Sequence, residues 1–136
     1  MVFKVAMQVR DYECDLQGVV NNAVYQHYLE HARHLFLREQ GLDFAQITAQ
    51  GVHLMLTSIA LQFKAPLRPH DIFEVTVQLK KKGRIQYLFE QSIYKAEGPL
   101  MLQAEAVGVA VSDATGRPMV FAPLEALANA SKAEVK

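Results

Sequence analysis

Phe3, Val5, Met7 and Val9 alternate with Lys4, Ala6, Gln8 and Arg10, the period of a strand with one buried face. The period then changes. Tyr25, Leu29, Ala32 and Phe36, flanked by Tyr28 and Leu35, fall on one side of a helical wheel, and His27, Glu30, His34 and Arg38 fall on the other. This spacing predicts a long helix able to cover a sheet. The Asn21-Asn22 pair suits capping of a helix that starts near Ala23, and Gly41 stands where a left-handed residue would end it. Residues 42–50 predict a further short helical turn ending at Gly51. Residues 52–65 form a mostly apolar run with Leu54, Leu56, Ile59, Leu61 and Phe63, read as a strand buried on much of both faces and stopped by Pro66 and Pro69.

Alternation returns at Phe73, Val75, Val77 and Leu79, and again at Tyr87, Phe89, Gln91 and Ile93, with Lys82-Gly83-Arg84 as the turn between. Residues 100–112 predict a last strand, rich in Ala and Val, before the turn Asp113-Ala114-Thr115-Gly116. Residues 129–136 read as a flexible tail. The order strand, long helix, four strands predicts an α+β domain over residues 1–128, an antiparallel sheet wrapped on one helix.

Composition narrows the function. A chain of 136 residues is long enough for one core and too short for a separate cofactor-binding domain. Its 14 basic and 14 acidic residues cancel, so nothing global points to nucleic acid or an anionic membrane surface, and any anion site must be local. A single cysteine, Cys14, excludes an intramolecular disulfide framework and suits a reducing compartment. The first residues already alternate as a strand and carry no signal-peptide pattern, and no apolar run approaches spanning length; the expectation is a cytoplasmic protein.

The chemistry gathers between the first strand and the helix. Asp15 stands three residues before Gly18, and Asn21 and Asn22 open the helix, so a carboxylate is placed near unpaired backbone N–H groups. Taken alone, an Asp before a Gly is a turn or cap residue. With Tyr25, Tyr28, Glu30 and Arg33 downstream, the string Asp15-Leu16-Gln17-Gly18-Val19-Val20-Asn21-Asn22 resembles the hotdog-fold thioesterases of the 4-hydroxybenzoyl-CoA thioesterase type. Within them residues 9–28, VRDYECDLQGVVNNAVYQHY, and 63–71, FKAPLRPHD, are similar to the plant acyl-ACP thioesterases of the acyl-lipid and methylketone-synthase kind and their bacterial relatives. The resemblance covers about residues 3–125 and implies a hotdog fold, a five-stranded antiparallel sheet around one long central helix.

It also implies a reaction. The expected activity is hydrolysis of acyl-CoA or acyl-ACP thioesters, with fatty acyl groups foremost, to acid and thiol. No cofactor and no metal are expected. Asp15 is implied as general base or as nucleophile, and the backbone N–H of Asn22 as oxyanion donor, with Gly18 letting the loop turn tightly. Asn21 and Tyr25 are candidate substrate contacts, although capping and packing account for them as well. Relatives often carry His where this chain has Val19, which leaves more of the work to Asp15 and the backbone. Glu30 and Arg33 match family positions and are read as a helix-surface or interface salt bridge. Another hotdog branch uses a helix carboxylate for catalysis, which keeps Glu30 as an alternative.

Three other patterns bear on the site. His27, His31 and His34 share a helical spacing, but no HExxH motif or completing cluster accompanies them, and solvent or a partner subunit explains them. Cys14 has no paired base and reads as a bystander to Asp15. Lys80, Lys81, Lys82 and Arg84 form the one dense basic cluster, explained either as a solvated hairpin or as a contact for coenzyme A phosphates or acidic acyl carrier protein. The resemblance further implies a homo-oligomer, a dimer of dimers, with sites at the dimer interface. Rival readings are a hotdog hydratase or dehydratase and a non-catalytic acyl-thioester binding module.

Overall fold

A computed structural model describes residues 2–134 of the chain, with side chains described through residue 130. The elements run β1 (Phe3–Gln8), α1 (Asn22–Glu39), α2 (Phe44–Ala49), β2 (Val52–Phe63), β3 (Ile72–Lys82), β4 (Gln86–Lys95), β5 (Leu100–Ser112), β6 (Pro118–Met119) and α3 (Ala122–Glu134). The strands make one antiparallel sheet in the order β1-β3-β4-β5-β2, with β6 attached to β5. The sixth, two-residue strand was not expected.

Alternation decides the faces. Phe73, Val75, Val77 and Leu79 on β3 are buried, and the residues between them are partly open. Onto that inner face α1 packs Tyr28 against Phe73 at 4.7 Å between ring centres, Phe36 against Phe3 at 5.8 Å and Tyr25 against Phe63 at 5.4 Å. The start of α1 therefore sits where β2 ends and β3 begins. Its far end reaches Leu37, near α2 and the beginning of β2. The buried stripe on α1 is wider than the pattern indicated, because Arg33 and Leu37 join it, whereas Leu35 is only half-buried.

Two expectations fail here. Residues 52–65 do not form a strand buried on both faces: β2 is an edge strand, and Met55, Leu56 and Phe63 are 54%, 47% and 49% exposed. Apolar content reports that a surface is covered, and within one chain nothing covers this one. The supposed tail also folds, since α3 continues to Glu134 with Leu124 and Ala128 buried; residues 135–136 of that expectation lie outside the described residues.

Candidate active site

A small hairpin carries Asp15. Cys14 bridges Val20, the Asp15 N–H donates to the Val19 carbonyl at 2.9 Å, and the Gly18 N–H returns to the Asp15 carbonyl at 3.0 Å. The turn closes only with Gly18 at φ +74°, a left-handed conformation that glycine adopts without strain. The loop is pinned on two sides. Asn21 N–H donates to Glu13 O at 3.0 Å, and Val20 N–H donates to Leu67 O at 2.9 Å.

The side chain of Asp15 is exposed at the tip of this loop. Gln17 holds it twice. The Gln17 backbone N–H donates to Asp15 Oδ1 at 3.0 Å, and its side-chain amide, assigned with nitrogen toward the carboxylate because the reverse sets oxygen against oxygen, donates to Oδ1 at 2.8 Å and Oδ2 at 3.2 Å. Gln17 went unnoticed in the sequence, where the only signal was an Asp followed two residues later by a polar side chain.

Helix α1 begins immediately beyond. Asn21 is its N-cap, with Oδ1 accepting the Ala23 N–H at 2.9 Å. That is the capping role weighed for Asn21 beside a substrate contact. Among the described residues the Asn22 N–H has no acceptor, so a donor at the positive end of the helix is open.

Neighbouring groups are fixed in place. Tyr25, weighed as core or as a substrate contact, is buried, and its hydroxyl accepts the Leu67 N–H at 3.0 Å. Burial, more than any neighbour, raises its pKa. Tyr28 donates to Glu13 Oε1 at 2.8 Å, and burial followed by that bond pushes its phenol well above the usual range. Both tyrosines stay protonated. Cys14 is likewise pushed up, by desolvation and then by Glu13 and Asp15, which keeps it a thiol rather than a nucleophile.

A cavity of about 300 Å³ lies elsewhere, between the second half of α1 and the sheet, with Arg33, Leu37, Leu54, Phe89 and Leu124 among its walls and Glu30 and His34 beside them. Asp15 is not part of it. Along α1 the open Asn22 N–H and Arg33 are separated by roughly three turns, about 16 Å. Of the expected roles for Glu30 and Arg33, a helix-surface or interface salt bridge, no surface pair between the two forms within the chain: Glu30 is exposed, and Arg33 is buried with Nη1 donating to Gln91 Oε1 at 2.9 Å.

The basic cluster divides. Lys80 pairs with Glu90 across the hairpin, and Lys81 bonds Glu125 of α3 while lying over the Tyr87 ring. Lys82 and Arg84 remain exposed at the turn, at the opposite end of β3 from the Asp15 loop. No group of three or more His, Cys, Asp or Glu among the described residues is placed to hold a metal ion. Nor is any described helix long and apolar enough to cross a membrane.

An antiparallel sheet around a long helix, with a carboxylate loop at the helix start, defines a hotdog protein. A 1,4-dihydroxy-2-naphthoyl-CoA thioesterase from Synechocystis shares this fold with a TM-score of 0.88 at 20% identity, over 95% of this chain and 96% of that one. The chain belongs to the thioesterase-like superfamily, whose model matches residues 9–130. It is 36% identical over 110 residues to the chloroplastic acyl-acyl carrier protein thioesterase ATL3 of Arabidopsis thaliana, covering 79% of this chain and 56% of the relative. The chain thus spans little more than half the length of that relative. The acyl-CoA thioester hydrolase YbgC of Escherichia coli is 26% identical over 117 residues, covering 86% of this chain and 87% of the other.

Proposed function

We propose that this protein hydrolyses acyl thioesters carried by coenzyme A or acyl carrier protein, at a site built between two copies of the chain. The observation that carries this reading is an exposed, oriented Asp15 carboxylate on the loop that leads into α1, where the Asn22 N–H is open. Superfamily membership and the activities named for the relatives support it.

Asp15 takes a proton from water as the water attacks the acyl carbon. The carbonyl oxygen, gaining charge, accepts the Asn22 N–H at the positive end of the helix. The tetrahedral intermediate collapses, the carbon–sulfur bond breaks, and the proton passes from Asp15 to the departing thiolate. A thiol has a pKa near 8.5, so the leaving group needs little assistance, and one carboxylate is sufficient. Val19 contributes no polar group to this scheme.

Where the parts lie supports a second copy. Within one chain Asp15 and the cavity stand at opposite ends of α1, and β2 presents an uncovered apolar edge. A two-fold axis that pairs β2 with its copy covers Met55 and Leu56 and sets the two α1 helices antiparallel. The Asp15 loop of one copy then meets the cavity end of the other. The same axis brings the partner's hairpin to the Asp15 end of the sheet, where Lys82 and Arg84 face the carrier's phosphates or acidic surface. Pairing of two such dimers gives the tetramer.

Thiol release tests the reading. Matched CoA and acyl carrier protein thioesters over several chain lengths are offered to the wild type, Asp15→Asn and Asp15→Ala. The wild type turns over at least one series, and kcat falls by about 10²–10⁴ in both variants. Full turnover by both variants as folded oligomers contradicts the assignment of Asp15.

A further inference from the structure

Glu13 precedes the Asp15 hairpin and takes no part in the proposed hydrolysis, yet bonds from Arg10, Asn21 and Tyr28 all meet on it. Its side chain, 11% exposed, offers Oε1 to the Arg10 N–H at 2.8 Å and to the Tyr28 hydroxyl at 2.8 Å, while Arg10 Nη1 lies 3.6 Å from Oε2. Its carbonyl accepts the N–H of Asn21, the N-cap of α1, at 3.0 Å. Tyr28 holds the other end. It is buried with its ring on Phe73, and burial followed by the Glu13 bond keeps its hydroxyl protonated, so it donates at any ordinary pH. Among the described residues Tyr28 is the only side chain of α1 bonded to residues 11–20.

Asn21 and Tyr28 are about two helical turns apart, roughly 10 Å along the axis. A loop tied at one point can rock about it, and one tied at two points so far apart cannot. The Val20 N–H bond to the Leu67 carbonyl runs to a different loop, itself joined to α1 through the Tyr25 hydroxyl. Asp15 is exposed at the hairpin tip, so rocking at the base moves its carboxylate relative to the Asn22 N–H. We propose that Glu13 is a positioning residue: bonded to Tyr28, it fixes the angle of the Asp15 loop against α1 and with it the spacing between the carboxylate and the open Asn22 N–H. The inference rests on the thioesterase reading and adds to it the device that sets the geometry. Satisfying a buried hydroxyl would alone explain the bond, and the two roles part in what the variants lose.

Tyr28→Phe removes the donor and keeps the ring. At a temperature where the variant is fully folded, kcat falls about tenfold with KM little changed. Glu13→Ala loses at least as much, and Glu13→Gln, whose amide oxygen still accepts, brings kcat back to within about threefold of wild type. Combining Tyr28→Phe with Glu13→Ala is no worse than Glu13→Ala alone, since both remove the same tie. Wild-type kcat in Tyr28→Phe, whatever its melting temperature, leaves only a packing role and overturns the proposal, as do losses that multiply in the double variant. Should Glu13→Ala fail to fold, Tyr28→Phe and Glu13→Gln decide. Absence of hydrolysis by the wild type contradicts the thioesterase reading instead. Amide hydrogen exchange then judges the tie alone. The Asp15 and Gly18 N–H groups, which close the hairpin, exchange about tenfold faster in Tyr28→Phe while the later turns of α1 do not change, and equal rates in the two proteins overturn it.

Discussion

Replacing Gln17 with Leu separates holding the carboxylate from being it. Gln17→Leu keeps the backbone N–H on Asp15 Oδ1 and removes the side-chain amide that reaches both oxygens. The carboxylate then samples other rotamers, so we expect kcat to fall by about tenfold with KM little changed, well short of the loss from Asp15→Asn. Steady-state kinetics beside wild type measures this, and a variant with wild-type kcat means the amide does not orient Asp15. The turn at Gly18 and the cap at Asn21 were legible in the sequence because they depend on neighbours a few residues away, whereas the role expected of Asp15 came only with the family resemblance. The place of Arg33 was not legible. Its partner Gln91 is 58 positions distant, and a helical wheel cannot distinguish a long cation at the edge of the polar face from one folded under the helix.

Among the elements, the hairpin from β3 to β4 and the long helix were plain from period alone, and the described strand ends fall close to the expected ones. Helix α3 was missed. Pro123 and an alanine-rich sequence give a weak pattern, and what ties it to the sheet is Glu125, bonded to Lys81 and to the Tyr87 hydroxyl. The Lys81 bond, with Tyr87 adding to it against some desolvation, holds the Glu125 carboxyl below the usual value of 4.5. A lowered carboxyl stabilises the fold above its unfolded value, and the contribution disappears as pH falls through the lowered one. We therefore expect the melting temperature of wild type to drop below about pH 4.5 and that of Glu125→Gln, already lower at neutral pH, to drop less. Parallel pH profiles for the two proteins would show that this contact does not fasten α3. Leu124 is also among the walls of the cavity beside α1, so loosening α3 disturbs that space as well.

For the whole molecule, one apolar strand decided both what the sequence showed and what it concealed. The run in β2 was visible, but its reading as core in a single chain was wrong, since the strand lies at an edge and only a second surface can bury it. Local patterns register that a face is covered and not by which chain. If that surface is a second copy, each site takes Asp15 from one chain and its cavity from the other. Mixing tests this most directly. Asp15→Ala removes the carboxylate, and Leu54→Trp fills the cavity; each assembles normally and is inactive alone. Unfolded together and refolded, the pair forms mixed dimers in about half the population, each with one intact site, and we predict recovery of about a quarter of wild-type thioester hydrolysis. A mixture no more active than the two variants measured apart would contradict a shared site.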